Sequence, residues 1–111
     1  MGALRHVVMW TLHDPADAGR FKATLDTCRG LVPGMLEFEV GIRQPGLDAS
    51  CDVVLVSTFA DMAALEAYQS HPQHQTVSAA LGPLRSRRTV LDYDIATARA
   101  GAESTNHRDP P

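Results

Sequence analysis

Residues 67–77 read AYQSHPQHQTV, which brings Tyr68, His71 and His74 within seven positions, with Pro72 between the two histidines. An imidazole takes up or releases a proton near neutral pH, and a phenol donates a hydrogen bond to a developing oxyanion. In one cavity, Tyr68 and His74 would suit proton abstraction next to a carbonyl, followed by an intramolecular aldol closure. Each residue also has a structural reading. Tyr68 is in phase with Leu65, so its ring would pack inward and its hydroxyl would reach water or backbone. His74 acts only if it turns inward. His71 directly precedes Pro72 and reads first as the cap that seals a helix break, or otherwise as a substrate-side residue.

Three more histidines need placing. His6 alternates in phase with Val8 and Trp10. A lone histidine on an apolar strand face is usually a satisfied core residue; its functional reading is to orient the site. His13 adjoins a turn and His107 lies in a polar tail, so neither is expected to act. His71 and His74 make an HxxH spacing to which His6 could add a third imidazole. Pro72 interrupts the alignment, and no acidic residue sits between them as in HExxH, so no metal is expected. There is no nucleophile elbow and no glycine-rich phosphate loop, and no cofactor is expected.

The elements that must hold these residues are legible. Leu4–Leu12 carries apolar bulk on both faces and reads as a doubly buried strand. Asp14-Pro15 opens a helix to about Arg29, with Phe21, Leu25 and Cys28 on one side and Gly30 as the stop. In Met35–Ile42, inward Leu36, Phe38, Val40 and Ile42 alternate with Met35, Glu37, Glu39 and Gly41, leaving one wet face. Residues 43–51 form a polar loop. Asp52–Phe59 is again apolar on both faces. Asp61 caps a helix that must end near Ser70 or His71, before Pro72. A second short helix follows to about Ala80, Gly82-Pro83 breaks it, and Arg88–Ile95 alternates. Residues 96–111 hold too little apolar surface to offset the entropy of ordering, so the expected division is a domain over 1–96 and a flexible tail over 97–111.

This is a βαββαβ order. A right-handed crossover sets the first and third strands side by side in the centre, with the others at the edges. The expected fold class is α+β and ferredoxin-like: a four-stranded antiparallel sheet with helices on one face. The other face then offers Val7, Met9, Val54 and Val56, or the alternate set, to solvent, and a patch of that kind needs a cover. A second copy, sheet against sheet, supplies it by two-fold symmetry, giving a dimeric α+β barrel.

The 111 residues are 44% hydrophobic and 21% charged, with a formal net charge of −3. The only basic cluster is Arg85, Arg87 and Arg88, which argues against nucleic acid as a partner. No apolar run approaches the ~20 residues of a membrane span, and the opening residues lack a signal-peptide pattern. The expectation is a cytoplasmic protein that does not engage membranes. Cys28 and Cys51 form no CxxC pair. Cys28 reads as a small buried hydrophobe.

LRHVVMWTL, VPGMLEFEVG, DVVLVSTFADMAALEAYQSHPQH and VLDYD together resemble the stress-responsive dimeric α/β-barrel (Dabb) family over about Leu4 to Ile95. His6, the YxxHPxH run of Tyr68, His71, Pro72 and His74, and the closing Asp92-Tyr93 carry the likeness. The family includes olivetolic acid cyclase-type polyketide cyclases, which close a linear polyketide by aldol condensation without cofactor. That resemblance implies Tyr68 and His74 as the catalytic pair, oxyanion donor and base. It implies a pocket between helices and sheet lined by His6, Val8, Trp10, Phe21, Leu25 and Leu55, with His71 beside them, for a polyketide-like or aromatic ligand. Two positions depart from the cyclase pattern: Val53 stands in place of a second strand histidine, and Trp10 replaces an aliphatic residue and would shorten or fill the pocket. Other readings are a non-catalytic stress-response or ligand-binding barrel and a cofactor-free monooxygenase-like barrel. An enzyme needs a chamber of roughly 300 Å³ reaching both Tyr68 and His74; a structural barrel would fill it with Trp10 and Phe21.

Overall fold

The structure, a computed structural model, describes residues 2–101. The chain runs β1 (Leu4–Leu12), a 3₁₀ turn (Pro15–Asp17), α1 (Ala18–Asp26), β2 (Met35–Ile42), β3 (Val53–Phe59), α2 (Met62–Ser70), α3 (Pro72–Leu81), a second 3₁₀ turn (Gly82–Leu84), β4 (Arg85–Asp94) and α4 (Ile95–Ala100). The sheet order is β2-β3-β1-β4, and every pairing is antiparallel. This is the ferredoxin-like arrangement, with the two doubly apolar strands at the centre.

Helix ends follow from local chemistry. Pro15 and the Asp14 cap, which accepts from the Ala16 amide at 3.0 Å, produce a 3₁₀ turn before α1 rather than one continuous helix. Gly30 ends the following turns at φ +68°. Asp61 accepts from the Ala64 amide at 2.9 Å and opens α2. Gly34 is required twice over: its φ is +88°, and a Cβ there would stand 2.8 Å from the Ala64 Cβ.

Phe21, Leu25 and Cys28 meet Val8, Trp10, Leu55 and Phe59 in one core between helices and sheet. Directly paired residues of antiparallel strands share a face, so the register fixes the opposite face. Val7 pairs with Val56 and Leu91, and Met9 with Val54 and Thr89. α1, α2 and α3 pack on the other face. Met9 is 39% exposed and Leu91 64%. β4 turns its apolar side, Leu91 and Tyr93, to this bare face and its polar side, Arg88 and Asp92, to the helix side.

Three expectations need correcting. β4 begins at Arg85, three residues earlier than the alternation suggested, because a register shift between Thr11 and Leu12 keeps it paired with β1. Leu36 is 59% exposed rather than inward, since β2 slips register between Met35 and Glu37. The segment after the last strand, read as having no regular structure, forms α4 over Ile95–Ala100. Asp94 accepts from the Ala96 and Thr97 amides at 2.8 and 3.2 Å and caps α4. The rest of the expected tail, including His107, lies outside the described residues.

Candidate functional site

Between α3, β1 and β4 lies a chamber of about 80 Å³. β1 supplies His6, Val8 and Trp10 in strict alternation, β3 supplies Leu55, and α1 supplies Leu25. Tyr68 comes from the last turn of α2 and His74 from the first turn of α3. The break at Pro72 turns the chain so that both rings face the same space, their centroids 4.6 Å apart and edge-to-face.

Two expected lining residues lie elsewhere. Phe21 is fully buried behind Trp10, in edge contact at 5.0 Å, and does not reach the chamber. His71 is absent from the wall because its ring is used locally: Nδ1 accepts from the Gln73 amide at 3.0 Å and caps α3. His71→Ala is therefore expected to cost about 1 kcal/mol in urea unfolding, with most of it restored by His71→Ser. An unchanged midpoint would contradict the capping role.

Tyr68 is 1% exposed, and burial raises its pKa well above that of a free phenol, with the neighbouring Cys28 thiol adding to the effect. The ring therefore stays a protonated donor. Its hydroxyl lies close to the Cys28 thiol. Sulfur is a weak acceptor, so the proton can be redirected to a stronger oxygen acceptor at small cost.

His74 differs. Its Nδ1 is buried and has no hydrogen-bond partner. Burial lowers its pKa from 6.5, and the nearby His6 and Arg88 lower it further; the Gln69 carbonyl opposes them without meeting Nδ1 in hydrogen-bond geometry. The imidazole is thus neutral at pH 7, with a lone pair available.

His6 is 2% exposed and its Nδ1 lies 2.5 Å from Asp92 Oδ1. Paired with a carboxylate, Nδ1 carries the proton, which leaves Nε2 as the ring's free nitrogen. Asp92 was not singled out for chemistry by sequence, although the β1–β4 register pairs it with His6 directly. Arg85 and Arg88 also line the chamber, as do Val77, Ser78 and Leu81 of α3. The basic cluster was visible in the sequence; that two of its members share one side was not.

Among the described residues, no group of three or more His, Cys, Asp or Glu is placed to hold a metal ion, and no helix is long and apolar enough to cross a membrane.

The model of the stress responsive A/B barrel domain family matches residues 4–95. The chain belongs to the Dabb family. A Dabb protein from Mesorhizobium loti is 26% identical, with a TM-score of 0.69 over 84% of this chain and 96% of its own. A dimeric ferredoxin-like protein of unknown function from Jannaschia sp. is 29% identical, with a TM-score of 0.68 over 84% and 99%. A Caulobacter crescentus protein provisionally called an antibiotic biosynthesis monooxygenase is 20% identical, with a TM-score of 0.70 over 84% and 89%, and shares the fold. No curated protein matches the sequence. In this Dabb chain the chamber lies between helices and sheet, with Tyr68 and His74 on its wall.

Proposed function

We propose that this Dabb protein is a cofactor-independent acid–base enzyme that removes a proton next to the carbonyl of a small compound. His74 is the base, Tyr68 the oxyanion donor, and His6, held by Asp92, a positioning residue that faces the same chamber. The observation that carries this reading is the buried, unpartnered Nδ1 of His74 beside a protonated phenol. Buried polar atoms of native proteins almost always have a partner. A neutral imidazole on the chamber wall carries one unprotonated nitrogen, which is suited to a ligand's proton.

Chamber size narrows the substrate. At roughly 10–15 Å³ per water-sized centre, 80 Å³ holds about five to eight heavy atoms, far below the ~300 Å³ of a typical ligand site. Trp10, braced by Phe21, closes the space that a long polyketide would need. The chemistry of an aldol-type cyclase stands in this reading, on a smaller carbonyl compound. The chamber falls short of the roughly 300 Å³ expected of an enzyme, with Trp10 and Phe21 packed where that space would be, and this favours a second reading, a non-catalytic small-ligand barrel. Deuterium entry next to the carbonyl of small ketones and oxo acids, followed by proton NMR, separates the two. The enzyme reading requires at least one compound to exchange faster than in buffer, with His74→Gln abolishing the gain; exchange at the buffer rate throughout leaves only the ligand-binding reading.

The assembly proposed is a homodimer through the bare sheet face. Val7, Met9, Val54, Val56 and Leu91 form an apolar strip on the face away from α1, α2 and α3, and the Jannaschia protein is described as dimeric. Sedimentation at micromolar concentration is expected to give twice the 12.0 kDa chain mass; a monomer throughout would refute this.

A further inference from the structure

We infer that Arg85 and Arg88 form an anion-binding mouth to the chamber, so that its ligand is a small carbonyl acid rather than a neutral ketone. The inference rests on the proton-transfer reading above and adds the substrate class.

The arrangement depends on a local defect in the sheet. Along a regular strand, residues three apart point to opposite faces. Arg85 and Arg88 nevertheless share a side, because β4 carries one extra residue. Trp10 pairs with Arg88 and Thr11 with Arg87, but Leu12 pairs with Arg85. Ser86 is the residue skipped, and its hydroxyl donates to the Thr11 carbonyl at 3.2 Å. Leu12, Trp10 and His6 point to the helix side, so Arg85 and Arg88 do as well. Bulges commonly re-aim side chains beside binding sites. Here the bulge sets a second guanidinium on the chamber wall, while Arg87 stays on the bare face.

Both guanidiniums are unspent. Arg5, Arg20, Arg29 and Arg43 each pair with a carboxylate. Among the described residues, no carboxylate pairs with Arg85 or Arg88 at ion-pair distance, and no acidic residue lines the chamber. Asp92, opposite His6 on the same side of the sheet, is held by that histidine. Both arginines are solvent-exposed, which places them at the mouth, with Tyr68 and His74 deeper. A short ligand spanning that depth meets the phenol and imidazole with its carbonyl end and the guanidiniums with its charged end. Guanidinium suits a carboxylate by its planar fork of donors.

Pyruvate and pyruvamide test this, being isosteric and differing in charge. Binding is followed by amide NMR shifts at low salt in the full chain, its Arg85→Gln and Arg88→Gln variants and the double variant. Pyruvate is expected to bind more tightly than pyruvamide, to weaken about three- to tenfold with each arginine removed, and to weaken with added salt. Pyruvamide binding should not change. Equal binding of both, binding of neither at millimolar concentration, or wild-type pyruvate affinity in the double variant overturns the proposal. The two readings fail separately. Arginine-dependent pyruvate binding without deuterium entry into its methyl group leaves the anion mouth and removes the base. His74-dependent exchange that is equal for the acid and the amide leaves the base and removes the mouth.

Discussion

His74→Gln lowers the rate of deuterium entry into the substrate by about 10²–10⁴-fold at pH 7, the usual worth of a positioned general base. Glutamine keeps a polar side chain of similar reach, so the fold survives the change. The pH dependence gives a sharper test. Burial first, then the nearby His6 and the Arg88 guanidinium, places the His74 pKa below 6.5, with the Gln69 carbonyl opposing. The base therefore remains unprotonated at neutral pH, and the wild-type rate should fall only as pH drops below 6.5. The variant's residual rate should lack that limb. Stability follows the same sign. An unfolded chain takes up a proton on this histidine at its ordinary value, whereas the folded chain does so only at lower pH. The unfolded state thus binds more protons in that window, and stability is lost as pH falls through it. The difference in urea midpoint between wild type and variant, measured at pH 7.5 and pH 5, isolates this one group. A wild-type acid limb above pH 6.5 would transfer the base role away from His74.

Trp10→Ala is expected to cost about 3–5 kcal/mol, a large share of the ~5–15 kcal/mol that holds a domain of this size together. Trp10 is 6% exposed, packs edge-on against Phe21 and forms one wall of the chamber. Removing the indole loses its buried contacts and joins the vacated space to the chamber. Urea unfolding reads the first effect. Trp10→Leu, which keeps an aliphatic wall and should fold more readily, reads the second: it is expected to take longer oxo acids that the wild type rejects. A longer acid handled equally well by both chains would show that Trp10 does not set the limit.

The YxxHPxH run illustrates how much of the site could be read in advance. Proline after His71 dictates a helix break, a break dictates a cap, and Tyr68 in phase with Leu65 dictates an inward ring. These are relations within a few residues, and the structure places all of them as the spacing indicates. The His6–Asp92 pair was less accessible. Its members lie 86 positions apart, and only the β1–β4 register brings them opposite each other. Phe21 shows the opposite error: helical phase put it inward correctly, but phase does not say which inward residue stands in front of another.

Alternation, capping chemistry and breaker residues are properties of short stretches, so the chain alone determined the four strands, the three longer helices and their order. Chamber volume, the aim of Arg85 and the open Nδ1 of His74 depend on how distant elements abut. One bulged residue, Ser86, reverses which side Arg85 faces, and one indole seated against Phe21 sets how much space remains. Such outcomes are fixed by packing across the whole fold, where a shift of a single residue or ring redirects a side chain without altering any local pattern.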